Sequence, residues 1–166
     1  MLVCIDLSRL YFILKKVRCS LDYSKFVNFL RSLSGDPNVQ IVGFTIADKS
    51  NKRQTSFLRR LEGMGIKLHV YPTDTRPSFT MEMVAIAGLS PKQNVVFVTD
   101  DVALISVFEI LQARGKNCGL AFFSTELSGR WIPHFLQGTY SLFDLGEEKT
   151  LAEISAPLPK RGRDAG

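Results

Sequence analysis

Five apolar runs of strand length recur along this chain: MLVCID, VQIVGFTIAD, IKLHVYP, NVVFVTD and CGLAFFS. Their hydrophobicity is continuous rather than alternating, so both faces of each strand must be covered. A parallel sheet sandwiched between helices meets that condition. Helical patterns stand between the runs. LDYSKFVNFLRSL spaces Leu21, Phe26, Phe29, Leu30 and Leu33 by three- and four-residue steps, and SFLRRLEGMG repeats the pattern on Phe57, Leu58 and Leu61 before stopping at glycine. Strand and helix therefore alternate. The expected class is α/β, a three-layer α/β/α sandwich around a mostly parallel sheet of five or six strands, with TYSLFDL as the last strand.

A length of 166 residues, 45% of them hydrophobic, suffices for one domain with a real core and is short for two. From Gly146 the composition turns charged and proline-bearing (GEEKTLAEISAPLPKRGRDAG), so the domain is read as residues 1–145 and the segment 146–166 as a mostly disordered tail. Its KRGR end adds nonspecific attraction to phosphate at most, since basic termini are commonly just solvated. The longest apolar runs fall far short of a bilayer span and no secretory leader pattern precedes them, so no membrane is expected. Cys4, Cys19 and Cys118 are odd in number, dispersed and outside CxxC spacing, which argues against a disulfide framework or zinc knuckle and for a reducing, cytoplasmic setting. A formal charge of +5 favours a polyanionic partner such as nucleic acid. A P-loop is absent, which excludes nucleotide hydrolysis of that type.

In an open parallel sheet, ligands bind at the carboxyl ends of the strands, where the strand order reverses. Asp6 ends the first strand, Asp48 the second, and Asp100 with Asp101 the fourth. If the order is 3-2-1-4-5, strands one and four flank the switch point, and Asp6 and Asp101 face one crevice. A third acid, Glu82, is the single charge in the apolar helical segment SFTMEMVAIAG and must reach solvent, a cation or a metal. Each acid also has a plain structural role open to it: Glu82 near a helix N-terminus, and one of the aspartates as the cap of a helix beginning at Val102. Acids converging from three segments would bind a hard divalent cation through oxygen ligands.

With these residues in place, the sequence resembles the NYN domain, a branch of the PIN-like nuclease fold, over most of residues 2 to 145. CIDLSRLYF is similar to the family's strand ending in Asp, its Gly-Ser-Asn turn and aromatic-rich helix, keeping Asp6, Ser8, Leu10, Tyr11 and Phe12. Met81-Glu82-Met83 stands at the family's Val-Asp-Val. VTDDVAL stands at its Ser-Gly-Asp-Ser-Asp-Phe, with Thr99 for the serine, Asp100 for the glycine, Asp101 for the first aspartate and Ala103 for the second. LQARGKNCGLAFFS fits the next helix, turn and strand, and Ser124 with Leu127 resembles a Ser-x-x-Leu.

The resemblance implies a metal-dependent endoribonuclease in which Mg²⁺ or Mn²⁺ activates water for attack on an RNA phosphodiester. Asp6, Glu82 and Asp101 would be the catalytic and metal-binding acids, with Asp100 a peripheral ligand. The departures bear on activity: Arg9 replaces the asparagine of the first turn, where its guanidinium either neutralises the acids or holds a phosphate, and Ala103 removes one ligand. Lys49, Lys52, Arg53, Arg59 and Arg60 would guide the phosphate backbone, with Ser8, Arg9, Thr99 and Ser124 lining its path. Their bland alternative is an ordinary solvated helix face. His69, Phe57, Tyr71, Trp131 and His134 read as packing or surface residues. Three readings remain open: a metal-dependent ribonuclease, an RNA-binding protein with impaired catalysis, and an interaction subunit or homo-oligomer on the same fold.

Overall fold

Each apolar run of the sequence becomes a strand of one sheet. In the structure, a computed structural model, residues 1–73, 78–137 and 140–157 are described. Strands β1 (Leu2–Asp6), β2 (Gln40–Ile46), β3 (Ile66–Tyr71), β4 (Asn94–Val98), β5 (Asn117–Phe122) and β6 (Ser141–Asp144) form a sheet in the order β3-β2-β1-β4-β5-β6. All neighbouring pairs are parallel, with Ile5 opposite Val98 and Asp6 opposite Phe44. The order extends the expected one by β6. At β1, all five residues are buried, as a strand covered on both faces must be.

Helices α1 (Leu7–Lys16), α2 (Tyr23–Ser32), α3 (Lys52–Gly63) and α7 (Glu148–Ile154) cover one face of the sheet. Their contributions to that core are Leu10, Ile13, Phe26, Leu30, Leu61 and Ile154. Helices α4 (Thr80–Leu89), α5 (Ile105–Ala113) and α6 (Ile132–Leu136) cover the other face, where Met83, Phe97, Phe108 and Trp131 pack. The Trp131 ring lies 5.6 Å from that of Phe108 and 5.9 Å from that of Phe135, so this tryptophan belongs to the core as expected. His69 stacks on Phe44 with ring centroids 5.1 Å apart, also a packing role.

Chain direction changes where the sequence supplies glycine. Gly65 and Gly115, at φ of +87° and +78°, sit just past the ends of α3 and α5 in the left-handed conformation that closes a helix. Lys116 N–H then reaches back to the Leu111 carbonyl at 3.0 Å.

Two expectations are corrected. The strand β2 stops at Ile46, and Asp48 lies in the following turn, where its carboxylate accepts from the Ser50 N–H and hydroxyl. The segment from Gly146, expected to be mostly disordered, contains α7, whose Ile154 is fully buried. Leu151 and Ile154 form a three-residue-spaced apolar stripe within the charged composition, and α7 docks it beside α2. The Asp22 N–H donates to the Ile154 carbonyl, and the Ala156 N–H to that of Ser20. KRGR lies outside the described residues.

Candidate functional site

The topology reverses between β1 and β4, so the residues leaving their carboxyl ends share one crevice. Asp6 is both the last residue of β1 and the cap of α1: its Oδ1 accepts the Arg9 N–H at 2.9 Å. It is 1% exposed. Burial pushes its carboxyl up to about 6 from an ordinary 3.8, against the lowering pull of the Arg9 N–H and guanidinium, with Asp101 and Asp100 adding repulsion.

Asp101, which follows β4 by three residues, is the counterpart in reverse. Its Oδ1 accepts the Ala103 N–H at 3.0 Å, capping a 3-10 turn over Val102–Leu104. Its Oδ2 accepts the Ser78 hydroxyl at 2.6 Å and the Thr80 hydroxyl, both from the start of α4. Burial raises this carboxyl's pKa, but those three donors and the Arg9 charge outweigh it and hold Asp101 below the ordinary carboxylate range. One acid is thus under-compensated and the other firmly ionised.

Between them lies Arg9, half-exposed, whose Nε pairs with Asp100 Oδ1. The charges of Asp100, Asp101 and Asp6 all act on its guanidinium. Three carboxylates against one guanidinium leave the crevice net negative. Ser8, on the same turn, faces the other way: its hydroxyl accepts the Ile46 N–H at 3.0 Å and shares a hydrogen bond with Thr45, tying α1 to β2.

Glu82 stands in the first turn of α4 and is half-buried. At 3.6 residues per turn it lies roughly 200° around the helix from Thr80, the residue aimed at Asp101. The fold therefore brings Asp6, Asp100, Asp101 and Arg9 together, while Glu82 stands on a different side of α4 from the hydroxyl that meets Asp101. Among the described residues, no three His, Cys, Asp or Glu side chains converge into a metal cage. Mg²⁺, however, commonly keeps several waters and takes only one or two carboxylates plus substrate phosphate. Asp6 and Asp101 fit one such hydrated ion in donor chemistry and local charge. A two-metal centre does not fit, because Ala103 brings no ligand and Asp100 is engaged by Arg9.

Lys49, Lys52, Arg53, Arg59 and Arg60 are exposed. Lys49 lies in the turn after β2, and Lys52 and Arg53 open α3 at the same end of the sheet as the acids. Arg59 and Arg60 continue along one face of that helix about two turns, ~10 Å, farther from the crevice. Ser124, exposed, follows β5 at the crevice end, and its N–H donates to Asp144. Thr99 is corrected as a nucleic-acid contact: it is 4% exposed, and its hydroxyl accepts the Asp101 N–H at 3.2 Å, shaping the turn.

Sequence reasoning missed Ser78 and Thr80, the two hydroxyls that hold Asp101. Their signal was the SFT that opens an apolar helix, where Ser78 Oγ also accepts the Thr80 N–H at 3.2 Å. Comparison with known proteins gives one match: the family model for the NYN domain, over residues 1–130. No curated protein and no solved structure matches the chain.

Proposed function

Because the chain belongs to the NYN domain family, which has a PIN-like nuclease fold, we propose that it binds RNA across the β1–β4 crevice and hydrolyses it slowly with one Mg²⁺ or Mn²⁺ ion. The observation that carries this reading is the contrast between Asp6 and Asp101, two buried carboxylates at adjacent strand ends whose environments push their pKa values apart. A buried acid short of compensating partners is the kind of group that a cation relieves.

Asp6 and Asp101 would hold the ion, and Glu82 would join them only through an intervening water. The chemistry such an ion supplies is activation of water and neutralisation of charge on the phosphodiester. Asp101 remains ionised because three donors hold it, and those same donors fix its orientation. Arg9 offers guanidinium donors to a phosphate once the pair with Asp100 opens. Lys49, Lys52 and Arg53 draw the polyanion toward that end of the sheet. Lys52 and Arg53 stand in the first turn of α3, where the helix dipole disfavours cations and no acid is present. That cost to the fold is offset only when an anion is bound.

The test is cleavage of a labelled single-stranded RNA with Mn²⁺, followed for the wild type and for Asp6→Asn and Asp101→Asn, with folding of each variant checked by circular dichroism. Loss of cleavage by a hundredfold or more in folded variants supports the reading, and undiminished cleavage overturns it. The Arg9–Asp100 pair favours a second reading, RNA binding with little hydrolysis, since a guanidinium already supplies positive charge beside the acids. Salt-sensitive RNA affinity without Mn²⁺-dependent cleavage in the wild type would select it.

A further inference from the structure

Helix α1 has a complete buried face in Leu7, Leu10, Ile13 and Leu14, and yet carries two more aromatic residues on the opposite side. Tyr11 is 50% exposed and Phe12 68%. Their rings meet edge to face, with centroids 5.7 Å apart and planes at 70°, and Lys15 Nζ sits 4.6 Å from the centre of the Tyr11 ring. At 3.6 residues per turn, Arg9, Tyr11, Phe12, Lys15 and Lys16 share one half of the helix surface. Phe12 follows Arg9 by three residues, so their Cβ atoms are neighbours at about 5–6 Å. The fold uses neither ring in its core, and exposing them costs free energy.

We propose that this face of α1 is a stacking platform for unpaired bases of single-stranded RNA, next to the crevice. The inference rests on the nucleic-acid reading of that crevice and adds its substrate class. Two observations favour RNA over a protein partner. Cations are interleaved with the rings, and the ten residues LSRLYFILKK contain no acid. The face is also continuous with the site, because Arg9 and the Asp6 cap open the same helix. Lys16 pairs with Glu126 and Arg9 Nε with Asp100, while Lys15 stands over the Tyr11 ring. A base on Phe12 would thus have its phosphate within reach of a guanidinium or ammonium, the combination by which single strands are held without sequence preference. A duplex, whose bases are already stacked, gains nothing from the rings.

The experiment is fluorescence anisotropy with labelled oligouridine, an abasic strand of equal length, and a duplex of the same sequence, using the full chain, Tyr11→Ala, Phe12→Ala and Leu89→Ala. Leu89 is exposed at the far end of α4 and serves as an apolar control. Each aromatic substitution is expected to weaken oligouridine binding about tenfold, with the abasic strand and duplex unaffected and the control unchanged. Equal affinity of wild type and variants for oligouridine overturns the platform but leaves RNA binding standing. Equal losses on oligouridine and abasic strands overturn stacking as the cause. Unchanged RNA affinity together with loss of a dimer in sedimentation would make this face a contact between two copies and overturn the proposal. A wild type that binds no strand removes the platform and the proposed function together.

Discussion

At the scale of residues, Asp6 is a site where the fold carries a cost. Its raised pKa means that the folded chain holds the proton more tightly than the unfolded one. Well below pH 3.8 both states are protonated and no penalty exists. As pH rises through the ordinary 3.8 toward about 6, the unfolded state ionises freely and the folded state does not. Stability is therefore lost over that window and the full penalty, about 3 kcal/mol at ~1.4 kcal/mol per tenfold, is felt above it. Asp6→Asn keeps an acceptor for the Arg9 N–H without the charge. In metal-free buffer it is expected to raise unfolding free energy by about 1–3 kcal/mol at pH 7.5 and by under about 1 kcal/mol at pH 4, read by urea denaturation. A variant equally stable or less stable than wild type at pH 7.5 would contradict this account. Asp101→Asn should act in the opposite direction, losing about 1–3 kcal/mol at neutral pH, since an amide nitrogen cannot accept from Ser78 or Thr80. The same urea series checks it.

At the scale of elements, α3 opens against its own dipole. Lys52 and Arg53 stand where the dipole prefers acids, and Leu61 is the single buried residue of that helix. Lys52→Glu/Arg53→Glu should stabilise the chain by about 1 kcal/mol in thermal or urea unfolding. It should also weaken RNA binding and reduce the slope of log affinity against log salt by about 2. Affinity that is insensitive to both salt and this substitution would mean that the basic face is only solvated. Helix α1 is positioned by close approach to β2: a Cβ at Gly43 would stand 2.7 Å from Leu7 Cδ1. Gly43 thus lets the helix that carries Arg9 lie near the sheet, and Ser8 ties it there through the Ile46 N–H.

For the molecule as a whole, α7 belongs to the domain. Ile154→Ala removes a fully buried side chain that joins α7 to the α1–α2–α3 layer, and is expected to cost about 2–5 kcal/mol. A loss below about 0.5 kcal/mol in urea denaturation would show that α7 adds nothing to the core. Among the described residues no helix is long and apolar enough to cross a membrane. Much of the architecture was legible in the chain. The five apolar runs became β1 to β5 with ends within about two residues of those read, and the class, layers and strand order followed. The tail was misjudged because a composition average over GEEKTLAEISAPLPKRGRDAG hides a two-residue stripe that only finds its partner on α2.

What the sequence determined by itself was periodic: which segments are strands, that both their faces are covered, and that Asp6, Asp100 and Asp101 stand at or just past strand ends. Those are local properties, since side-chain spacing within a segment decides which of its faces must be buried. Tertiary structure decided the partners. Arg9 meets Asp100 across 91 residues, Asp101 meets Thr80 across 21, and Thr99 turns inward instead of toward solvent. Such pairings depend on how each helix is rotated against the sheet, which is set by packing of the whole core and is carried by no single stretch of chain.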